Sequence, residues 1–266
     1  MDERLRTERS RTFGKVAEVY DATRPGYPDE AVAWLTGRGS LRVVELGAGT
    51  GKLTASLVAA GHEVVATEPS GPMLAQLSAR LSCTVVRSRA ERLPFATGSV
   101  DIVVIGQAFH WFDPRPTVPE IARVLRRGGH LALVWNLRDE SVPWVRRLSA
   151  IIGSEVGEHD LQLDALADSE LFGAITHEEF RFWQLLDRDG LLGLVRSRSY
   201  VAALSEPERA EMLARVSDLY DEYGRGRDGL RLPYRTHCYR ARAVKKPVAA
   251  DEPEPFSGDK LLFDFR

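Results

Sequence analysis

Short runs of Val, Ile and Leu alternate with stretches of helical period through the first half of the chain. That alternation constrains the fold more than any other feature. Leu41–Leu46, Glu63–Thr67, Cys83–Val86, Val100–Ile105 and Leu131–Val134 are brief and apolar, as strands covered on both faces of a parallel sheet are. Between them Leu53/Leu57/Val58, Met73/Leu74/Leu77/Leu81 and Ile121/Val124/Leu125 recur at the spacing of one helix face. Repeated β–α alternation predicts an α/β fold with a doubly wound, mostly parallel sheet.

The second half follows another pattern. Residues 141–173 carry helical patches and no buried strand, which predicts a helical insertion after the fifth strand. Phe180 and Phe182 alternate with Glu179 and Arg181, as in a half-exposed strand. Ser205 and Glu208 form a capping-box pair, and Met212, Leu213, Val216, Leu219, Tyr220 and Tyr223 then line one face of a long helix. Arg231–Arg242 alternates with polar residues, as an antiparallel partner would. One domain over 1–243 is expected, and the proline-rich, acidic 244–266 reads as a flexible tail.

Charge excludes several functions. The chain has 36 basic and 38 acidic residues and no long basic stripe, so a nucleic-acid partner is not expected. Arg123, Arg126 and Arg127 cluster at the expected end of a helix, where they would complement its dipole. No run of eighteen apolar residues is present, so no membrane span is expected. MDERLRTERSRTFGK is charged throughout and lacks the apolar core of a signal peptide. Two cysteines, Cys83 and Cys238, are too few for a disulfide framework or a zinc cluster. A cytoplasmic protein without a metal is the simplest expectation, and no pattern specifies an oligomeric state.

The stretch VVELGAGTGKLT, residues 43 to 54, places a glycine-rich loop between a strand and a helix. A phosphate-binding loop needs Gly, four residues, then Gly-Lys-Ser/Thr. Counting back from Gly51-Lys52 puts Leu46 and Leu53 at its two ends, and both fail. A dinucleotide fingerprint needs a third glycine where this chain has Lys52. What remains is Glu45-x-Gly47-x-Gly49-x-Gly51. That tight bend can lay backbone amides beside a nucleoside and an amino-acid tail. Glu68 follows the next strand, where a carboxylate can accept from both hydroxyls of a ribose. Ser88–Phe95 follows the third strand, so all three loops face the carboxyl edge of the sheet, where ligands of open α/β folds bind.

VVELGAGTGKLT, ATEPSGPML, RAERLPF and SVDIVVIGQAFHWFD resemble successive motifs of class I S-adenosylmethionine-dependent methyltransferases. AEVYDATRPGYP and GQAFHWFD are similar to the small-molecule branch that includes trans-aconitate methyltransferase. The resemblance implies a Rossmann-like, seven-stranded sheet ending in an antiparallel hairpin, with an N-terminal lid over 10–40. It implies S-adenosylmethionine as cofactor and a small-molecule methyl acceptor. Carried over by position, Glu45 would hold the loop and the methionine amino group. Gly47, Gly49 and Gly51 would admit the cofactor, and Glu68 would bind its ribose. Met73 would pack on the adenine, Ala90 and Glu91 would meet its polar edge, and Gln107 would sit beside the methionine moiety. Tyr20 and Arg24 would bind the cofactor from the lid, where the guanidinium could pair with the methionine carboxylate or with the substrate's acid. Tyr27 of the RPGYP segment would reach the acceptor.

The slot after the fourth strand separates types of methyl transfer. Amino methylation of nucleic-acid bases typically uses an Asn/Asp-Pro-Pro-aromatic motif there, and this chain has Gly106–Asp113, GQAFHWFD, instead. A shielded small-molecule pocket is expected, with Trp111, Trp135 and Trp144 as walls and Asn136 and Arg138 as acceptor contacts, an exposed salt bridge being the second reading of Arg138. His110 has two readings, a general base or a residue that lines the pocket and anchors the acceptor. Two further functions stay open. One is a non-catalytic cofactor-binding or scaffolding protein of the same fold. The other is a nicotinamide oxidoreductase, disfavoured by Lys52.

Overall fold

The computed structural model describes residues 23–154, 160–224 and 229–244. Tyr20, most of the expected tail and the first part of the expected lid lie outside the described residues. A seven-stranded sheet runs in the order β3-β2-β1-β4-β5-β7-β6. Its strands are β1 (Arg42–Leu46), β2 (Glu63–Thr67), β3 (Thr84–Val86), β4 (Val100–Gly106), β5 (Leu125–Arg138), β6 (Thr176–Leu186) and β7 (Leu230–Arg242). β1 to β5 pair in parallel, and β7 lies antiparallel to both β5 and β6. This is the expected seven-stranded sheet with antiparallel end strands, although residues 187–229, whose described part carries three helices, connect β6 to β7 in place of a tight turn.

Each central strand buries both faces, because its residues alternate between two cores. Val44, Leu46, Val103, Ile105, Leu131, Leu133 and Trp135 face one side, beneath α4 (Pro114–Val124) and α6 (Asp160–Ala167). Val43, Ile102, Val104, Ala132 and Val134 face the other, beneath α1 (Asp29–Thr36) and α2 (Lys52–Ala59). Between β2 and β3 runs α3 (Gly71–Arg80). A third core joins the projecting end of the β6–β7 hairpin to α5 (Pro143–Ile152), α7 (Arg188–Arg196) and α9 (Glu206–Tyr223), with the short α8 (Ser199–Ala202) between the last two. The capping box is formed: the Ser205 side chain accepts from the backbone of Glu208, whose carboxylate accepts from Ser205 N at 2.9 Å.

β5 departs from expectation. It starts at Leu125 rather than Leu131, and its register against β4 shifts between Val100 and Ile102, whose partners are Leu125 and His130. The Arg126-Arg127-Gly128-Gly129 run is therefore the irregular part of a strand, and only Arg123 of the basic cluster lies in a helix. Asp101 is buried beside that run and takes Arg126 at 2.5 Å and the backbone N–H of Arg42 at 2.8 Å. Gly129 is required there: a Cβ would stand 2.8 Å from the Asp101 carbonyl oxygen. Gly129→Ala is expected to cost about 1–3 kcal/mol of stability, the range for overpacking, read as a lowered urea midpoint with an unchanged slope.

Candidate active site

The strand order reverses between β1 and β4, and a crevice opens there at the carboxyl ends of the strands. Residue parity decides what enters it. Glu45, Gly106 and Asn136 continue the face carrying Val43, Val104 and Val134, so all three reach the cavity beside α2. Trp135 points the other way, into the core, where its ring meets Tyr239 edge-on at 5.7 Å. It does not line the cavity.

The three glycines of the loop do three different jobs. All have positive φ, +67°, +58° and +89° for Gly47, Gly49 and Gly51, a region costing other residues roughly 1–2 kcal/mol each. A Cβ on Gly47 would meet Ala108 at 2.7 Å, and one on Gly51 would meet Leu77 of α3 at 2.9 Å. These two admit neighbouring parts of the protein. Only Gly49 would direct a Cβ into open space, and it lines the cavity while Gly51 does not. Behind the loop α2 begins at Lys52 with no side-chain cap, and Lys52 and Leu53 of its first turn line the cavity.

Two buried carboxyls flank the loop. Glu45 accepts a hydrogen bond from Thr54 Oγ1 at 2.6 Å. Burial pushes its pKa up to about 8, with the nearby Glu68 adding to the rise. Glu68 accepts from Gly49 N–H at 3.0 Å and from Ser70 N–H at 2.9 Å. Burial raises its pKa as well, and the two backbone donors oppose the rise. Glu68 thus holds the loop directly, from a position just outside the cavity lining.

A strap, residues 23 to 28, crosses the cavity mouth. Asn136 Nδ2 donates to Gly26 O at 2.9 Å, while Thr236 Oγ1 donates to Asn136 Oδ1 at 2.7 Å. Arg24 Nε donates to Ser197 Oγ at 3.1 Å, and Gln184 Nε2 donates to Thr23 O at 2.7 Å. Tyr27 stands over Gly106, where any Cβ would come within 2.7 Å of its hydroxyl oxygen. Gln107 has φ +56°, uncommon for a residue with a side chain, and its Nε2 donates to Asn136 O at 3.0 Å. Together these groups leave a cavity of about 60 Å³.

Other sequence-predicted residues fall outside that lining. His110 and Trp111 occupy a 3-10 turn, Phe109–Trp111, beside Gly47's neighbours. Burial lowers the His110 pKa to about 4, so the ring is neutral at physiological pH. Arg138 donates to Ser149 Oγ at 3.1 Å and to Gly153 O at 2.6 Å. It ties β5 to α5 rather than reaching an acceptor. Trp144 packs in the α5–α7–α9 core. Met73 is buried in α3, Ala90 lies in the main core, and Glu91 pairs with Arg89 at 3.3 Å. Conversely, Leu194, Arg198 and Tyr234 line the cavity without any sequence motif pointing to them, and Lys52 of the glycine-loop motif lines it too. Among the described residues no cluster of three metal-ligating side chains exists.

A sheet of this order with a glycine loop after β1 and a buried acid after β2 defines the class I methyltransferase fold. The family model described as a methyltransferase domain matches residues 44–133. An uncharacterized methyltransferase of Mycobacterium tuberculosis is 42% identical over 239 residues, covering 89% of this chain and 97% of the relative. An uncharacterized methyltransferase-like protein of Schizosaccharomyces pombe is 31% identical over 250 residues, covering 90% and 97%. A solved candidate type II methyltransferase from Anaeromyxobacter dehalogenans shares the fold, with a TM-score of 0.65, 23% identity, and 82% and 97% of the two chains covered. The chain belongs to the class I S-adenosylmethionine-dependent methyltransferase family.

The buried acid beside the loop makes stability depend on pH. In the fold Glu45 keeps its proton up to about pH 8, whereas its ordinary value is 4.5. Between those values the unfolded chain binds fewer protons than the folded one, so stability falls as pH rises and levels off above the window. Glu45→Gln removes this component. Urea unfolding across the window is expected to show wild type losing stability relative to the variant with rising pH, at a slope approaching about 1.4 kcal/mol per pH unit.

Proposed function

We propose that the chain binds S-adenosylmethionine beside Gly49 and transfers its methyl group to an oxygen of a small organic acid. The observation that carries this reading is the charge of the cavity: Arg24, Lys52 and Arg198 line it, with Glu45 as the one carboxyl in its lining. Three cations around a small enclosed space favour an anionic acceptor over a neutral or cationic one. The likeness of AEVYDATRPGYP and GQAFHWFD to the trans-aconitate methyltransferase-like branch supports the same class.

The residues present fit the cofactor. Gly49 leaves space where a side chain would stand, Glu45 offers a buried carboxyl to the cofactor's ammonium, and Glu68 has acceptor capacity beyond its two backbone donors. When bound, S-adenosylmethionine supplies an electrophilic methyl on a sulfonium. The chain's own work is then alignment and exclusion of water. Arg24 or Arg198 holds a carboxylate by charge, and Tyr27, Gln107 and Asn136 close the space around the reacting oxygen. A carboxylate oxygen is already deprotonated and bonds to the methyl without losing a proton. A base is therefore unnecessary, which suits a His110 whose pKa of about 4 lies far from the operating pH. His110 and Trp111 support the turn under the loop in this reading. The free cysteines and the lack, among described residues, of a helix able to cross a membrane are in keeping with a cytoplasmic enzyme.

Transfer of labelled methyl from S-adenosylmethionine to a panel of small carboxylic acids, alcohols and amines tests the proposal. A base-labile methyl ester is the expected product. His110→Asn is expected to keep turnover within about tenfold of wild type, where loss of a general base would cost roughly 10²–10⁴-fold. A product methylated on nitrogen, carbon or sulfur contradicts the assignment to oxygen.

A further inference from the structure

β5 ends at Arg138, opposite Tyr234, while β7 and β6 run on together to Leu230 and Leu186. Beyond that point β7 has a strand on one side only. The turn after β5 keeps one backbone bond to it, from Asp139 N–H to Pro233 O at 2.9 Å, and a cavity of about 300 Å³ lies there, distinct from the one under the glycine loop. Trp144, Phe182, Trp183 and Tyr234 supply aromatic walls, and Arg181 and Arg231 supply charge. Phe182 and Tyr234 stack in parallel with centroids 5.1 Å apart on the face of β6 and β7 turned toward α5, while Arg181, Trp183 and Arg231 alternate onto the other face. Trp183 remains 64% exposed, the most exposed large apolar residue among those described.

The charge balance here selects a ligand. Asp139 is the one carboxylate in the lining. It is already engaged, with Arg235 Nε at 3.1 Å and with Ser141 Oγ at 2.6 Å. Arg181 has Glu179 at 3.3 Å. Arg231 is exposed and makes no ion pair among the described residues. The cavity therefore presents a surplus positive charge beside flat apolar surfaces. A neutral ring would gain only the surfaces, and an aliphatic acid only the charge. An aromatic acid gains both.

We propose that this cavity is a second ligand site, which takes a planar aromatic carboxylate, its ring against the Trp183 wall and its carboxylate at Arg231. The site is independent of the methyl-transfer reading, since no residue of the glycine loop or the strap lines it. Tyr234 borders both cavities.

Fluorine NMR titration of the full chain with para-fluorocinnamate, against the matched para-fluorocinnamyl alcohol, tests the site without any cofactor. Saturable binding of the acid in the millimolar range or tighter is expected, with the alcohol weaker. Trp183→Ala and Arg231→Ala change exposed side chains, and each is expected to weaken the acid by roughly threefold to tenfold while leaving the thermal midpoint near wild type. No saturable binding of the acid, equal affinity for the alcohol, or unchanged affinity in both variants overturns the proposal. The acid–alcohol comparison stands on wild-type protein alone, whatever the variants do.

Discussion

Two carboxyl groups are buried at the ends of adjacent parallel strands, and the geometry around them follows from that constraint. Burying a carboxylate away from water is costly unless donors meet it. Glu68 takes its donors from backbone, Gly49 N–H on one side and Ser70 N–H on the other. Gly49 offers its N–H from a left-handed conformation, and Gly47 and Gly51 on either side share that region. Glu45 has a single hydroxyl donor, Thr54 on α2, and remains protonated instead. The loop, the start of α2 and the end of β2 are thus one electrostatic unit. A cation arriving beside Glu45 would let that carboxyl ionise, so the site gains charge complementarity at the moment it is filled.

The opposite wall is built by reach across the chain. Thr236 on β7 orients the amide of Asn136 on β5, and Asn136 holds Gly26 of the strap. Gln184 on β6 holds Thr23, against which Gly193 of α7 fits with no room for a Cβ. The antiparallel hairpin therefore closes the site as well as completing the sheet. The remaining space is small beside the roughly 300–1,000 Å³ of ordinary ligand sites. Across it the strap is held by side-chain bonds from Asn136, Gln184 and Arg24, each worth about 0.5–1.5 kcal/mol.

The sequence announces the sheet because strands buried on both faces need continuous apolar runs, and β1, β2 and β4 match them to within a residue. It also announces α9, whose cap residues are local. The glycine loop and its two acids are legible for the same reason: each lies within a few residues of a strand end. Side-chain direction is not legible in that way. Trp135 and Asn136 are neighbours in sequence, yet parity sends one into the core and the other into the cavity. Arg138 shares Asn136's face but finds Ser149 and Gly153 closer than any acceptor. The place of the basic run at 126–127 is not legible either, since the contact of Arg126 with buried Asp101 depends on tertiary packing. Arg198 and Tyr234 reach the cavity from more than a hundred residues away, and no local pattern marks them.

In the proposed function Glu45 is a protonated receptor for the cofactor's cation. Calorimetric titration of S-adenosylmethionine in buffers of different ionisation enthalpy measures the protons exchanged on binding. At about pH 7 the account predicts one site per chain and release of close to one proton, because Glu45 ionises as the cation arrives. Near pH 9, above its raised pKa, that release should disappear. Binding at neutral pH with no proton released, or with the same release at both pH values, would contradict it.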